Sequence, residues 1–156
     1  MITQIAPFEM GVTVEDLDSM ISFYRDVLGF TLISEIDVPG DKSLEAGFVT
    51  GGYRIVRLET NYGERIKLVR PVPYPAARAS GDEVLSQKGN VFLTFIVDDL
   101  KAVVDKVKAA GAPKRTQSDI MEVRDGVCLS ILDDPEGNHL EFVEYRDIAE
   151  YRPELS

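Results

Sequence analysis

Apolar and polar side chains alternate from residue 8 to residue 14, with Phe8, Met10, Val12 and Val14 set against Glu9, Gly11 and Thr13. That period of two predicts a strand. Leu17, Met20, Ile21, Tyr24, Val27 and Leu28 then recur at helical spacing. Asp16 stands where its carboxylate can cap the first turn, and Gly29 stands where a left-handed residue can stop the helix. Residues 30–36 read as a strand. Residues 38–50, which contain Pro39, Gly40 and Gly47, read as a loop with little regular structure. Residues 53–60 and 64–69 form a hairpin across Asn61-Tyr62-Gly63.

Pro71, Pro73 and Pro75 open a stretch to Gly89 that reads as a linker with one short helical piece. After it the pattern restarts. Residues 91–97 form a strand, Asp99-Leu100 echoes Asp16-Leu17, and Leu100, Val103, Val104 and Val107 line one helical face that Gly111 closes. Strands follow near Met121, at residues 126–132 and at residues 139–145, the last two joined by the turn Asp134-Pro135-Glu136-Gly137-Asn138. A repeated strand, Asp-Leu cap, helix and glycine stop argues for one βαβββ unit used twice. The expected class is α+β.

Composition changes this picture little and narrows the partners. The chain has 156 residues, 44% hydrophobic and 28% charged, enough for a sizeable core. No apolar run approaches the length of a membrane span. The first residues lack the basic stretch and apolar core of a secretory signal. Cys128, the single cysteine, reads as a small buried hydrophobe, and a reducing cytoplasm is the simplest compartment. A net charge of −10 argues against nucleic acid, which demands a basic face. It suits a cationic ligand, although an acidic surface mostly serves solubility. There is one histidine, His139, which limits metal chemistry in a single chain.

Three segments carry a resemblance. Gly11-Val-Thr-Val-Glu-Asp-Leu-Asp18 with Phe23-Tyr24-Arg25-Asp26-Val27-Leu28-Gly29-Phe30 resembles the opening of vicinal-oxygen-chelate proteins, the glyoxalase, bleomycin-resistance and dioxygenase superfamily. Phe95-Ile-Val-Asp-Asp-Leu100 resembles the opening of their second module, and the stretch from Asp134 to Phe142 resembles their closing hairpin. The resemblance implies a single domain over 1–156: module one about 5–70, linker about 71–89, module two about 90–146 and a C-terminal tail 147–156. It also implies mixed sheets curled around a cleft, and a homodimer.

Metal-dependent members use four ligand positions, which the resemblance places at Glu9, Lys67, Phe92 and Glu141. Only Glu141 keeps the usual ligand type. Phe92 offers no donor, and Lys67 would bring an ammonium beside the cation. A metal held by Glu9, Glu141 and His139 would need Lys67 deprotonated or displaced. The expectation is therefore no metal and no cofactor. Without metal, Glu9, Lys67 and Glu141 are catalytic candidates, a carboxylate as general base and the lysine as electrophile. The same residues can equally be a buried salt bridge that replaces a cation. Phe92 is a wall residue able to stack on a flat ligand. His139 follows a turn and is expected at the surface or cavity rim, with a role in substrate binding left open. Arg54, Arg57 and Arg65 can bind a substrate carboxylate or simply form a solvated face.

Three functions follow. The first is a metal-independent isomerase or lyase acting on a small carbonyl compound. The second is a metal-free small-molecule binding protein of the bleomycin-resistance type. A metal-dependent glyoxalase or ring-cleaving dioxygenase is disfavoured by the missing histidines.

Overall fold

A computed structural model describes residues 3–76, 84–85, 88–113 and 119–155. The chain divides into two compact units, Met1–Arg78 and Ala79–Ser156. Most of the expected linker helix falls outside the described residues.

The first unit runs β1 (Glu9–Thr13), α1 (Leu17–Ser22), β2 (Thr31–Val38), α2 (Gly40–Glu45), β3 (Tyr53–Glu59) and β4 (Arg65–Pro71). Its four strands form one sheet in the order β1-β4-β3-β2. β1 pairs parallel with β4, and the other neighbours pair antiparallel. Asp16 caps α1 as its position predicts, accepting from the Ser19 N–H at 3.0 Å. The helical run then departs from expectation. Phe23–Val27 forms a π turn, the Leu28 N–H reaching back to the Phe23 carbonyl. Phe23 and Tyr24 are both buried and meet edge to face at 5.4 Å. Gly29, at φ +82°, ends the turn in the left-handed region. A second difference is α2, since residues 38–50 were expected to lack regular structure. Ser43 explains it: buried between the helix and the following loop, its Oγ donates to the Val49 carbonyl and accepts from the Val49 N–H.

The second unit repeats the plan with β5 (Phe92–Ile96), α3 (Leu100–Ala109), β6 (Met121–Arg124), β7 (Val127–Asp133) and β8 (His139–Tyr145). Its sheet order is β5-β8-β7-β6, with β5 parallel to β8. Asp99 caps α3 by accepting from the Ala102 N–H at 2.9 Å. The 134–138 turn is tied by Asp134, whose carboxylate accepts from the Glu136 and Asn138 N–H groups. The segment expected as a plain tail is structured: α4 (Ile148–Tyr151) is capped by Asp147, and a 3-10 turn follows at Pro153–Leu155. Asp147 accepts from the Ala149 and Glu150 N–H groups, which gives so short a helix its start.

In both units one face of the sheet is dry. α1 packs on β4, and Leu17, Met20, Val56, Leu58, Ile66 and Leu68 are buried there. α3 packs on β7 and β8, with Leu100, Val104, Val107, Leu132, Leu140 and Phe142 buried. Strand alternation sends the residues between them to the other face. Among the described residues no helix is long and apolar enough to cross a membrane.

Urea denaturation followed by circular dichroism should report Asp99→Ala as less stable by about 1 kcal/mol, with Asp99→Asn near neutral. Leu140→Ala should cost about 2–5 kcal/mol because it leaves a cavity under α3.

Candidate functional site

The face of each sheet turned away from its helix carries the residues singled out in the sequence. On the first sheet the register aligns Glu9 with Arg65 and Arg65 with Glu59, and aligns Gly11 with Lys67 and Lys67 with Arg57. The Glu9 carboxylate lies 3.5 Å from Arg57 Nε, 3.6 Å from Arg65 Nη1 and 3.6 Å from Lys67 Nζ. Arg65 Nε donates to Glu59 at 2.5 Å. That hydrogen bond first, then the charge of Glu59, and more weakly Glu9, raise the pKa of Arg65. Of Glu9, Lys67 and Glu141, expected at one cleft, Glu9 and Lys67 stand together on this sheet and share their surroundings with two arginines, while Glu141 stands on the sheet of the second unit. Arg54, the third arginine of the hairpin, pairs instead with Glu35 at 2.7 Å on β2.

On the second sheet Phe92 aligns with His139, Thr94 with Glu141, and Glu141 with Ile131. The two sheets share one topology, so Phe92 occupies the place of Glu9, Glu141 that of Lys67, and His139 that of Arg65. Thr94 Oγ1 donates to Glu141 Oε2 at 2.6 Å. Phe92, Thr94 and Glu141 line an open groove of about 510 Å³. Ile96, Leu129 and Val143 continue its floor, and Val123, Arg124, Tyr145 and Tyr151 form its far end.

His139 departs from the rim position expected of it. It is 5% exposed, and its Nδ1 hydrogen-bonds Asp133 Oδ1 at 2.8 Å. The cause is the register: the antiparallel pairing of β7 and β8 sets Asp133 directly opposite His139. The groove lining does not include it.

The far end was not foreseen. Tyr145 and Tyr151 stack with centroids 4.3 Å apart and planes 11° from parallel. The guanidinium of Arg124 lies 6.0 Å from the Tyr145 centroid, within cation–π range. Burial pushes the pKa of Tyr145 up, Tyr151 adds to the rise through its hydrogen bond and charge, and Arg124 opposes it. The only sequence signal was two tyrosines on either side of Asp147, a helix-capping residue type.

The family model described as the Glyoxalase/Bleomycin resistance protein/Dioxygenase superfamily matches residues 3–142. No curated protein matches by sequence. Solved structures do match in fold. A glyoxalase family protein from Bacillus cereus is 19% identical with a TM-score of 0.75, over 93% of this chain and 97% of that one. The trypanothione-dependent glyoxalase I of Leishmania major is 20% identical with a TM-score of 0.60, over 94% and 91%. An antibiotic-binding protein from a Streptomyces species is 20% identical with a TM-score of 0.57, over 93% and 98%.

Tyr151→Ala should lower the pKa of Tyr145 toward its ordinary value of 10.0, and Arg124→Met should raise it further; ¹³C NMR of labelled tyrosine reads both. Since the folded pKa lies above the unfolded one, the stability from protonated Tyr145 is present at lower pH. It is lost as pH rises through the folded value.

Proposed function

The chain belongs to the Glyoxalase/Bleomycin resistance protein/Dioxygenase superfamily, and we propose that within it this protein is a metal-independent binder of small molecules, taking its ligand in the groove of the second unit. The observation that carries the reading is the lining. Eight of the eleven residues around the groove are aliphatic or aromatic, with Glu141 as the carboxylate on the floor and Arg124 at the end. Sites for drug-sized ligands have this make-up, mostly apolar walls with a few placed polar groups. Phe92 offers a face to a flat ligand, and Glu141 offers an acceptor to a cationic or hydrogen-bond-donating group on it.

The metal-free part of the reading is supported by donor chemistry. The positions that hold a cation in metal-dependent members are Glu9, Lys67, Phe92 and Glu141 here. They suit one poorly: Phe92 has no donor atom, Lys67 is an ammonium, and the Glu9 carboxylate lies within 3.6 Å of three cationic side chains.

One observation favours a second reading, an isomerase or lyase acting on a small carbonyl compound. The hydrogen bond from Thr94 holds the Glu141 carboxylate in one orientation within the open groove, as a general base needs. Glu9 and Lys67 are the other ionisable groups of that reading. The weight against it is that Lys67 already has Glu9 as its partner. Either reading includes the homodimer, which sedimentation equilibrium tests.

Calorimetric titration with a panel of flat aromatic amines should find a ligand whose affinity falls about fivefold in Phe92→Ala, the worth of one aromatic contact. Binding that ignores both Phe92→Ala and Glu141→Gln would remove the groove from the proposal. Deuterium uptake by hydroxyacetone in D₂O, catalysed by the protein and abolished in Glu141→Gln, would favour the enzyme instead. Near-stoichiometric Ni, Zn, Fe or Mn in protein purified without chelator would overturn the metal-free part.

A further inference from the structure

The face of the first sheet turned away from α1 holds an arrangement that the groove of the second unit does not use. One row of cross-strand neighbours runs Gly11, Lys67, Arg57, Ser34 over all four strands. The adjacent row runs Glu9, Arg65, Glu59. These rows contain three cations against two carboxylates, so one positive charge is left over on a chain whose net charge is −10. Lys67 and Arg57 stand directly opposite each other, an arrangement that is repulsive unless an anion lies between them.

The anion already present serves them incompletely. Glu59 is occupied by Arg65 at 2.5 Å. Glu9 is divided among Arg57, Arg65 and Lys67 at 3.5–3.6 Å, beyond the length of a good charged hydrogen bond. Arg57 reaches Glu9 through Nε. Among the described residues its two terminal nitrogens have no hydrogen bond, and Lys67 has no partner but Glu9. Both side chains are sheltered, Arg57 22% and Lys67 30% exposed, where charge interactions are screened less than on an open surface. Space is available beside them. Gly11 is the β1 neighbour of Lys67, and a Cβ placed there would meet only Lys67 Cε, at 4.0 Å.

We infer that this row is a binding site for an oxyanion, the carboxylate or phosphate group of a small ligand, held by the terminal nitrogens of Arg57 and by Lys67. The anion sits over Gly11 and Lys67, completes the charge balance that Glu9 leaves unfinished, and takes a paired hydrogen bond from the guanidinium fork. The inference uses the first unit alone and does not rest on the groove reading.

Two NMR titrations of the full chain test it, one with sodium oxalate and one with inorganic phosphate, each against sodium chloride at matched ionic strength. Saturable shifts centred on the amides of Gly11, Arg57 and Lys67 are expected with at least one probe, and the responding probe tells carboxylate from phosphate. Lys67→Met and Arg57→Gln should each weaken that binding about tenfold, as loss of one charged hydrogen bond does. Lys101→Met, on α3 of the other unit and paired with Asp105, should leave it unchanged. Amide dispersion in each variant confirms folding, and the unmodified chain decides the matter if a variant fails to fold. Shifts no larger than those in chloride, shifts centred elsewhere, or affinity unchanged in both variants would overturn the site.

Discussion

Two parallel strands cannot be closed by a hairpin, so β1 reaches β4, and β5 reaches β8, only after a helix and two antiparallel strands have intervened. Everything on the two faces turned away from the helices depends on that late pairing. It brings Glu9 and Gly11, near the start of the first unit, against Arg65 and Lys67 near its end. In the second unit it brings Phe92 and Thr94 against His139 and Glu141. The helix that makes the crossing then covers one face of each sheet. Alternation leaves the opposite face to the residues in between.

The same positions carry different chemistry in the two units. Where the first has Glu9, Lys67 and Arg65, the second has Phe92, Glu141 and His139. The first face is therefore a set of linked ion pairs with a positive remainder. The second is an apolar and aromatic groove around one carboxylate, its histidine drawn into a buried pair with Asp133. The anion site inferred on the first face and the ligand groove proposed on the second rest on one backbone plan furnished in two ways.

What could be read in advance were the features set by local rules. Strand alternation, the Asp16 and Asp99 caps and the Gly29 stop depend on residues within a few positions of one another, and each stands where its spacing put it. The repeat gave the two-unit plan for the same reason. Features that depend on distant partners were harder. Ser43 makes α2 possible by bonding both backbone groups of Val49, a demand the glycines around it concealed. His139 was placed at a rim because it follows a turn, while its burial is decided by Asp133 across the strand pairing. The resemblance implies Glu9, Lys67 and Glu141 at one cleft, and of these Glu9 and Lys67 lie 3.6 Å apart on the first sheet. The arrival of Arg57 and Arg65 at the same carboxylate needed the register of β3 and β4.

Each strand of these sheets thus serves two purposes on its two sides. Along β8, Leu140 and Phe142 hold the helix while Glu141, Val143 and Tyr145 face the groove. The pleat points the two sets to opposite sides, so a change at Glu141 or Tyr145 alters the wall of the groove while the side chains that hold α3 stay in place. One strand is thereby open to change on one side and constrained on the other.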